Sequence, residues 1–249
     1  MQLSEYDALE RVEREHWFYK GKRQLVRWWI ERAAPAFHEG DTIVDAGAGT
    51  GQLVQELHGW YGHQGVRTIG VEFSEEARRL AKERKNVDLS PGSILGLPLQ
   101  GNTSKVTIAL DVLEHVEDDK LAFSELLRVT ESGGILIINI PAFMSLWSDW
   151  DVSLGHYRRY TKQMMIATME PHRNECDVLY FDYINAIAFL PIWLYRKVSK
   201  LLKLHSRAED VIPSPRMNKL LFQLFVEPAK APWFHPPFGV SLFCVLRKK

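Results

Sequence analysis

The run Ile43-Val44-Asp45-Ala46-Gly47-Ala48-Gly49-Thr50-Gly51 constrains this chain more than any other stretch of it. The β-branched Thr42, Ile43 and Val44 favour an extended strand. Glycines at every second position then let the backbone turn tightly and approach a ligand with no Cβ in the way. From Gln52 to His58 the apolar residues return at helical spacing. A strand, a glycine turn and a helix in succession predict the first crossover of an open α/β sheet, the place where such sheets bind ligands.

The rest of the chain continues the alternation. Strands are predicted at 67–72, 105–110, 135–140, 176–181 and 241–246, and helices at 4–33, 74–85 and 120–129. Ser4 is a candidate cap for the first helix. Residues 141–162 read as a loop rich in aromatics and charge, and 184–231 as mostly helical, interrupted by Pro191, Pro213, Pro215 and Pro228. Such alternation implies right-handed βαβ units and a parallel sheet. A length of 249 residues suits one domain with an elaboration.

Composition narrows the partners. Thirty-one Lys and Arg balance 31 Asp and Glu, so nothing draws the chain to nucleic acid in general. The two cysteines, Cys176 and Cys244, show neither a disulfide framework nor metal-ligand spacing and read as buried thiols of a reducing compartment. The N-terminus is charged, with no apolar leader, and the expectation is a cytoplasmic protein. Its longest uncharged apolar run, Tyr183 to Tyr195, holds thirteen residues, short of the roughly 20 that span a bilayer.

Glu72, at the end of the second predicted strand, is placed to accept hydrogen bonds from both hydroxyls of a ribose. The glycine spacing is G-x-G-x-G behind an acid, unlike the dinucleotide fingerprint G-x-G-x-x-G. Asp45-Ala-Gly-Ala-Gly-Thr-Gly resembles the first motif of class I S-adenosylmethionine-dependent methyltransferases. Val71-Glu72-Phe73-Ser74, Gly92-Ser93-Ile94-Leu95-Gly96-Leu97-Pro98 and Ala109-Leu110-Asp111-Val112-Leu113-Glu114-His115-Val116 resemble its next three, in order, and Gly133-Gly134 before a strand also fits. The resemblance is tight over 40–141.

It implies a doubly wound, seven-stranded, mostly parallel Rossmann-like sheet. One domain, 1–249, would then divide into a helical lid (1–38), a cofactor-binding core (40–182), a helical insertion (183–238) and a final strand (239–249). S-adenosylmethionine would be the cofactor. Gly47, Gly49 and Gly51 would lie under its methionine part, with Asp45 near the amine. Glu72 would hold the ribose, Phe73 would pack on adenine, and Ser93 and Ile94 would flank the adenine edge. Asp111 and Leu113 of the fourth motif join this set. Many relatives carry Asp where this chain has Ser93, which weakens the expected adenine contact. The stretch His16 to Arg23 resembles a lid helix of bacterial members, in which Trp17 would pack and Arg23 reach the cofactor carboxylate.

Methyl transfer to oxygen needs a base, for which histidine suits neutral pH. The richest candidate stretch is Leu146 to Thr161, which leaves the cofactor end of the fifth strand. His156 is the expected base and Asp151 its orienting acid. Trp147, Arg158, Arg159 and Tyr160 are the expected substrate contacts, the arginines for an anionic group. Glu114 and His115 are rival bases. No Asp/Asn-Pro-Pro-aromatic motif follows the fourth strand and no cysteine stands in that motif, which disfavours DNA-amine and cysteine-dependent RNA methylation. The spacing of acids suggests no metal.

In the family the last two strands usually form a short hairpin, whereas here residues 183–238 intervene. Their apolar start, Ile184 to Tyr195, runs into Arg196, Lys197, Lys200, Lys203 and Arg207. An apolar face beside a basic one suits a small hydrophobic acceptor, or peripheral membrane contact through 184–207. An ordinary packed helix or a homodimer interface fits equally. Oxygen methylation of a hydrophobic or lipid-linked small molecule is the first expectation. Carbon methylation of an isoprenoid or aromatic compound, or a fold retained only for binding, are the alternatives.

Overall fold

The computed structural model describes residues 10–202, 211–231 and 233–249. Seven strands share one sheet: β1 (Thr42–Ala46), β2 (Arg67–Glu72), β3 (Leu89–Pro91), β4 (Ser104–Leu110), β5 (Thr130–Pro141), β6 (Cys176–Ile184) and β7 (Ser241–Lys248). Their order is β3-β2-β1-β4-β5-β7-β6. Neighbours from β3 to β5 are parallel, and β7 is antiparallel to both β5 and β6. The helices are α1 (Trp17–Ala33), α2 (Gln52–Tyr61), α3 (Glu75–Ala81), α4 (Asp119–Val129), α5 (Asp149–Ser153), α6 (Lys162–Met169), α7 (Ala186–Leu201) and α8 (Pro215–Lys230). This is the doubly wound, seven-stranded, mostly parallel Rossmann-like sheet that the family resemblance implies.

Both faces of the sheet are covered, which explains the unbroken apolar run of β5. Ile135 and Ile137 point to one face, where Leu25, Val26 and Ile30 of α1 and Leu53 and Leu57 of α2 meet them. Leu136 and Ile138 point to the other, against Phe123 and Leu126 of α4. Period-two alternation therefore feeds two cores from one strand.

Several boundaries differ from the sequence reading. The predicted helix 4–33 breaks at His16, whose backbone is extended (φ −73°, ψ 134°) and whose ring nitrogen accepts from the Phe18 amide to cap α1. Residues 4–9, with Ser4, lie outside the described part. Beyond its first turn α1 is core rather than lid, since Leu25, Val26 and Ile30 are buried. Strand β3, of three residues, is too short to leave a periodic signal. Residues 141–162 are not all loop, because α5 forms within them behind a Ser148–Asp151 capping box. Helix α6 follows, with Thr161 accepting from the Met164 amide at its start.

The insertion is two helices with different fates. Helix α8 packs on α1, Phe225 stacking on Phe18 at 5.7 Å and meeting Trp17 edge-on at 6.0 Å. Helix α7 has no fully buried residue, and Ile187, Leu190, Leu194 and Leu201 are all exposed. Among the described residues no helix is long and apolar enough to cross a membrane.

The α1–α8 contact is tight at Gly21, where an added Cβ would lie 2.2 Å from a ring carbon of Phe225. Gly21→Ala should therefore cost about 1–3 kcal/mol of stability, the range for overpacking a core. Combined with Phe225→Leu it should cost less than the two changes summed. Urea unfolding of the three variants checks this; strictly additive losses would mean the two residues do not compete for the same space.

Candidate active site

Because β1 and β4 are neighbours whose crossovers run to opposite sides, their carboxyl ends border a crevice. It encloses about 930 Å³, within the usual size for a small-molecule site. The loops after β1, β2 and β4, the first turn of α1, the segment after β5 and one side of α7 wall it.

The glycine turn after β1 forms one end. Gly47 and Gly49 have φ of +83° and +54°, which side chains resist. A Cβ on Gly47 would also sit 2.4 Å from a methyl of Val112. The Glu72 carboxylate accepts from the Gly49 amide at 2.8 Å and from the Ser74 amide at 2.7 Å. Those bonds aim the carboxylate and leave lone pairs for a ligand. Phe73 borders the cleft and is 79% exposed, an aromatic face with nothing on it. Ile94 is buried in the wall, and the Ser93 hydroxyl accepts from the Leu95 amide at 3.1 Å.

Carboxylates crowd this end. Burial, then the nearby charges of Glu13 and Glu72, push Asp45 up to about 8. Burial also raises Glu72 against the pull of the amides that hold it. Glu13 is raised by burial too, although the Thr50 hydroxyl donates to it at 2.5 Å and Arg23 and Lys22 attract its charge. Three acids raised by burial and crowded into one pocket form an environment that a cationic ligand would relieve.

The N-terminal segment supplies cations at the opposite wall. Lys22, almost wholly buried, donates to Asp111, whose other oxygen accepts from Asn139 at 2.6 Å. Asp111 holds a left-handed φ of +55° there, a conformation Asp tolerates better than most residues. Arg23 lines the cleft, but its guanidinium donates to Glu56 at 2.9 Å and to the Glu13 carbonyl at 2.7 Å. Lys22, which the sequence reading did not name, lines the same cleft. Trp17 borders the cleft while packing on Phe225.

Past β5, Asp151 is fully buried and organises its loop. It accepts from His156 Nδ1 at 3.0 Å, Arg159 Nε at 2.7 Å and the Ser148 amide at 2.9 Å. Burial would raise Asp151, yet these donors and the Arg159 charge hold it far below the usual carboxylate range. The His156–Asp151 pairing is the one expected, and it leaves the second ring nitrogen of His156 for the cleft that it lines. Arg159 borders the cleft but is tied to Asp151 and the Ala142 carbonyl.

Five expected site residues do not line the crevice. Tyr160 is fully buried, its hydroxyl donating to Asp119 at 2.9 Å. Arg158 turns the opposite way from Arg159, pairing with Asp119 at 3.0 Å and the Glu117 carbonyl at 2.7 Å. Trp147 lies outside the wall, and Trp150 of α5 stands in it instead. Leu113 is fully buried in the α4-side core. Gly51 starts α2, packed under Val87 rather than open to the cleft.

Glu114 and His115, the rival bases, reach the same place as His156. The His115 and His156 rings meet edge to face with centroids 4.5 Å apart. Burial, then the neighbouring His156 charge, pulls His115 down to about 4. Glu114 is raised well above the carboxylate range by burial and by Asp111. Sequence reasoning missed Glu13 and Lys22, polar residues whose only signal was their place among the aromatics of the N-terminal segment.

A family model described as a methyltransferase domain matches residues 44–138. The chain is 34% identical over 140 residues to a demethylmenaquinone methyltransferase of Thermobifida fusca, covering 53% of this chain and 55% of that protein. It is 27% identical over 124 residues to an uncharacterized methyltransferase of Mycobacteroides abscessus, covering 47% of this chain and 46% of that one. The chain spans about half the length of these relatives. Among solved structures, geranyl diphosphate C-methyltransferase from Streptomyces coelicolor superposes with a TM-score of 0.59 at 16% identity, covering 91% of this chain and 77% of that one. A SAM-dependent methyltransferase from Thermotoga maritima gives 0.58 at 18%, covering 99% and 96%. At such identities the two structures speak for the fold alone.

The raised Asp45 makes a prediction about stability. With its folded pKa near 8, the folded chain keeps a proton that the unfolded chain releases near pH 4. Its contribution to stability therefore falls as pH rises between those values and is level above them. Asp45→Asn removes that slope, so the variant should gain on the wild type steadily from about pH 4 to about pH 8 in urea unfolding. A gap that stays constant across the window would show that Asp45 does not titrate there.

Proposed function

We propose that this chain is a class I S-adenosylmethionine-dependent methyltransferase, a reading supported by the methyltransferase-domain match over residues 44–138 and by the Thermobifida fusca relative, and that its cleft binds S-adenosylmethionine and methylates an oxygen of a hydrophobic or lipid-linked small molecule. The observation that carries the reading is the division of one cleft. Glu13, Asp45 and Glu72 crowd the glycine-turn end, and the Asp151-held His156 faces in from beyond β5.

The donor set suits the cofactor. Its sulfonium and ammonium charges match three under-ionised carboxylates, and its ribose diol matches the pre-aimed Glu72. Gly47 and Gly49 keep side chains out of the space beside the turn. Phe73 offers its open face to adenine. When bound, the cofactor supplies an electrophilic methyl group on sulfur.

The chain's own residues do the rest. His156, with Nδ1 donating to Asp151, presents its other nitrogen to take the acceptor's proton. His115 and Glu114 stand beside it in the cleft wall. The acceptor wall includes Trp150, Leu154, Pro191, Ile192 and Tyr195. These apolar side chains suit a ring or hydrocarbon, and the quinone named in the Thermobifida fusca relative is a molecule of that kind. The second reading, methylation at carbon, is favoured by the aromatics Trp17, Phe18, Tyr19 and Trp150 of the lining, which tolerate a cationic intermediate.

Calorimetric titration with S-adenosylmethionine tests the cofactor site. Gly49→Val should abolish binding in a folded protein, since a branched residue resists φ of +54° and fills the ligand's space. Glu72→Ala should weaken binding by about 1–3 kcal/mol, the scale of charged hydrogen bonds, and Glu72→Gln by less. Unchanged affinity in both glutamate variants would move the ribose elsewhere.

Helix α7 is proposed to touch the acceptor with one side and an anionic lipid surface with the other. Lys197 and Lys200 lie on it, and Lys203 and Arg207 fall outside the described residues. Changing Lys197 and Lys200 to Glu should leave cofactor affinity intact and weaken binding to anionic vesicles at low salt, by about 1 kcal/mol per charge. Wild-type protein that ignores such vesicles would rule out the lipid contact. Concentration-dependent self-association in its place would assign the helix to a homodimer.

A further inference from the structure

Among the described residues, Glu114 is a buried acid with no side-chain partner. Its side chain is 1% exposed, and neither carboxylate oxygen meets a hydrogen-bond partner on another residue. Leaving a buried carboxylate without a partner is costly, so such a group either keeps a proton or faces a cation. Two histidines, His115 from the same turn and His156 from a loop far along the chain, converge on it. One ligand-type atom from each of the three lies within 4.8 Å of the other two. In a tetrahedral site with metal–ligand bonds of about 2.1 Å the ligand atoms lie about 3.4 Å apart, so the three side chains draw together by the remaining gap when an ion binds.

We propose that Glu114, His115 and His156 bind a divalent first-row transition metal of the zinc class. Two imidazoles and one carboxylate are a ligand set for Zn²⁺, Fe²⁺ or Co²⁺ rather than for Mg²⁺ or Ca²⁺, which take oxygens. The surroundings are built as metal sites are built. Asp151 accepts from His156 Nδ1 at 3.0 Å, which fixes the ring and leaves Nε2 with its lone pair toward the cluster. Asp151 is fixed in turn by Arg159 at 2.7 Å and by the Ser148 amide at 2.9 Å. All three proposed ligands line the cleft, so the ion's remaining positions open onto it, as at a catalytic rather than a structural site.

The ion's task rests on the methyl-transfer reading, and the site itself does not. An acceptor hydroxyl bound to the ion would lose its proton to solvent near neutral pH, keeping the O–H electron pair on oxygen for attack on the methyl carbon. The electron pair of the breaking S–C bond then returns to sulfur. In that form His156 is a ligand, and the ion replaces it as the activator of the acceptor.

The test uses tag-free, full-length protein stripped with chelator and titrated with Zn²⁺ against a chromophoric competitor, with Co²⁺ as a spectroscopic probe. One ion per chain is expected, with Co²⁺ bands of nitrogen and oxygen ligation and no thiolate charge-transfer band. His115→Ala, His156→Ala and Glu114→Gln should each lose at least tenfold in affinity, and Asp151→Asn between tenfold and a hundredfold. His172→Ala, at a histidine paired with Glu175 away from the cleft, should bind as the wild type does. Should the variants fail to fold, the wild type alone decides: Zn²⁺ must raise its Tm and excess Mg²⁺ must not displace it. No stoichiometric uptake, uptake that survives in folded His115→Ala and His156→Ala, or a thiolate band overturns the site. Titrating S-adenosylmethionine into the stripped and loaded samples separates the two readings: zinc bound with no cofactor affinity overturns the methyl-transfer reading and leaves the ion site standing.

Discussion

The reversal of crossover direction between β1 and β4 is the constraint on which the polar half of this molecule depends. From β1 the chain winds outward through β2 to β3, and from β4 it winds the other way to β5. The loops leaving these two strands diverge and leave a space between them. Gly47, Asp45, Asp111 and Glu114 all occupy that gap. Hydrophobic burial on both faces holds the strands in register, and the crevice is what close packing leaves over.

Two sets of buried acids show opposite solutions to one problem. Asp151 is surrounded by donors and stays ionised, so it behaves as a fixed anion around which a loop condenses. Asp45, Glu13 and Glu72 have too few positive neighbours for their depth and hold their protons longer than free carboxylates do. The first set is a structural joint, and the second is a region of unrelieved repulsion beside an open cavity. Environment, not residue type, separates the two roles.

The sheet was legible because its signals are local. A β-branched strand, a glycine turn and a resumed helical period sit together in Ile43–His58, and the run 135–140 is apolar on both alternations because both faces are covered. Strand β3 failed for lack of length, and the helix 4–33 was overextended because His16 is an unusual cap. In Arg158-Arg159-Tyr160 three plausible ligands occur in a row, yet consecutive residues in extended backbone face different ways, so only Arg159 reaches the cleft. The cofactor end, carried by neighbouring residues, could be read this way. The meeting of His115 with His156 could not, because it depends on how the loop after β5 folds back over the end of β4.

The position of β7 has a consequence for how the chain assembles. The strand follows the other six in sequence, yet it lies inside the sheet, between β5 and β6. Until residues 241–248 are available, β5 presents the unpaired edge of an isoleucine-rich strand, and β6 has no neighbour at all. A nascent chain stalled before that point carries a long apolar edge open to other strands. Closure by β7 therefore ties completion of the sheet to a segment that follows the other six strands in sequence, so the seven strands join only once residues 241–248 are available.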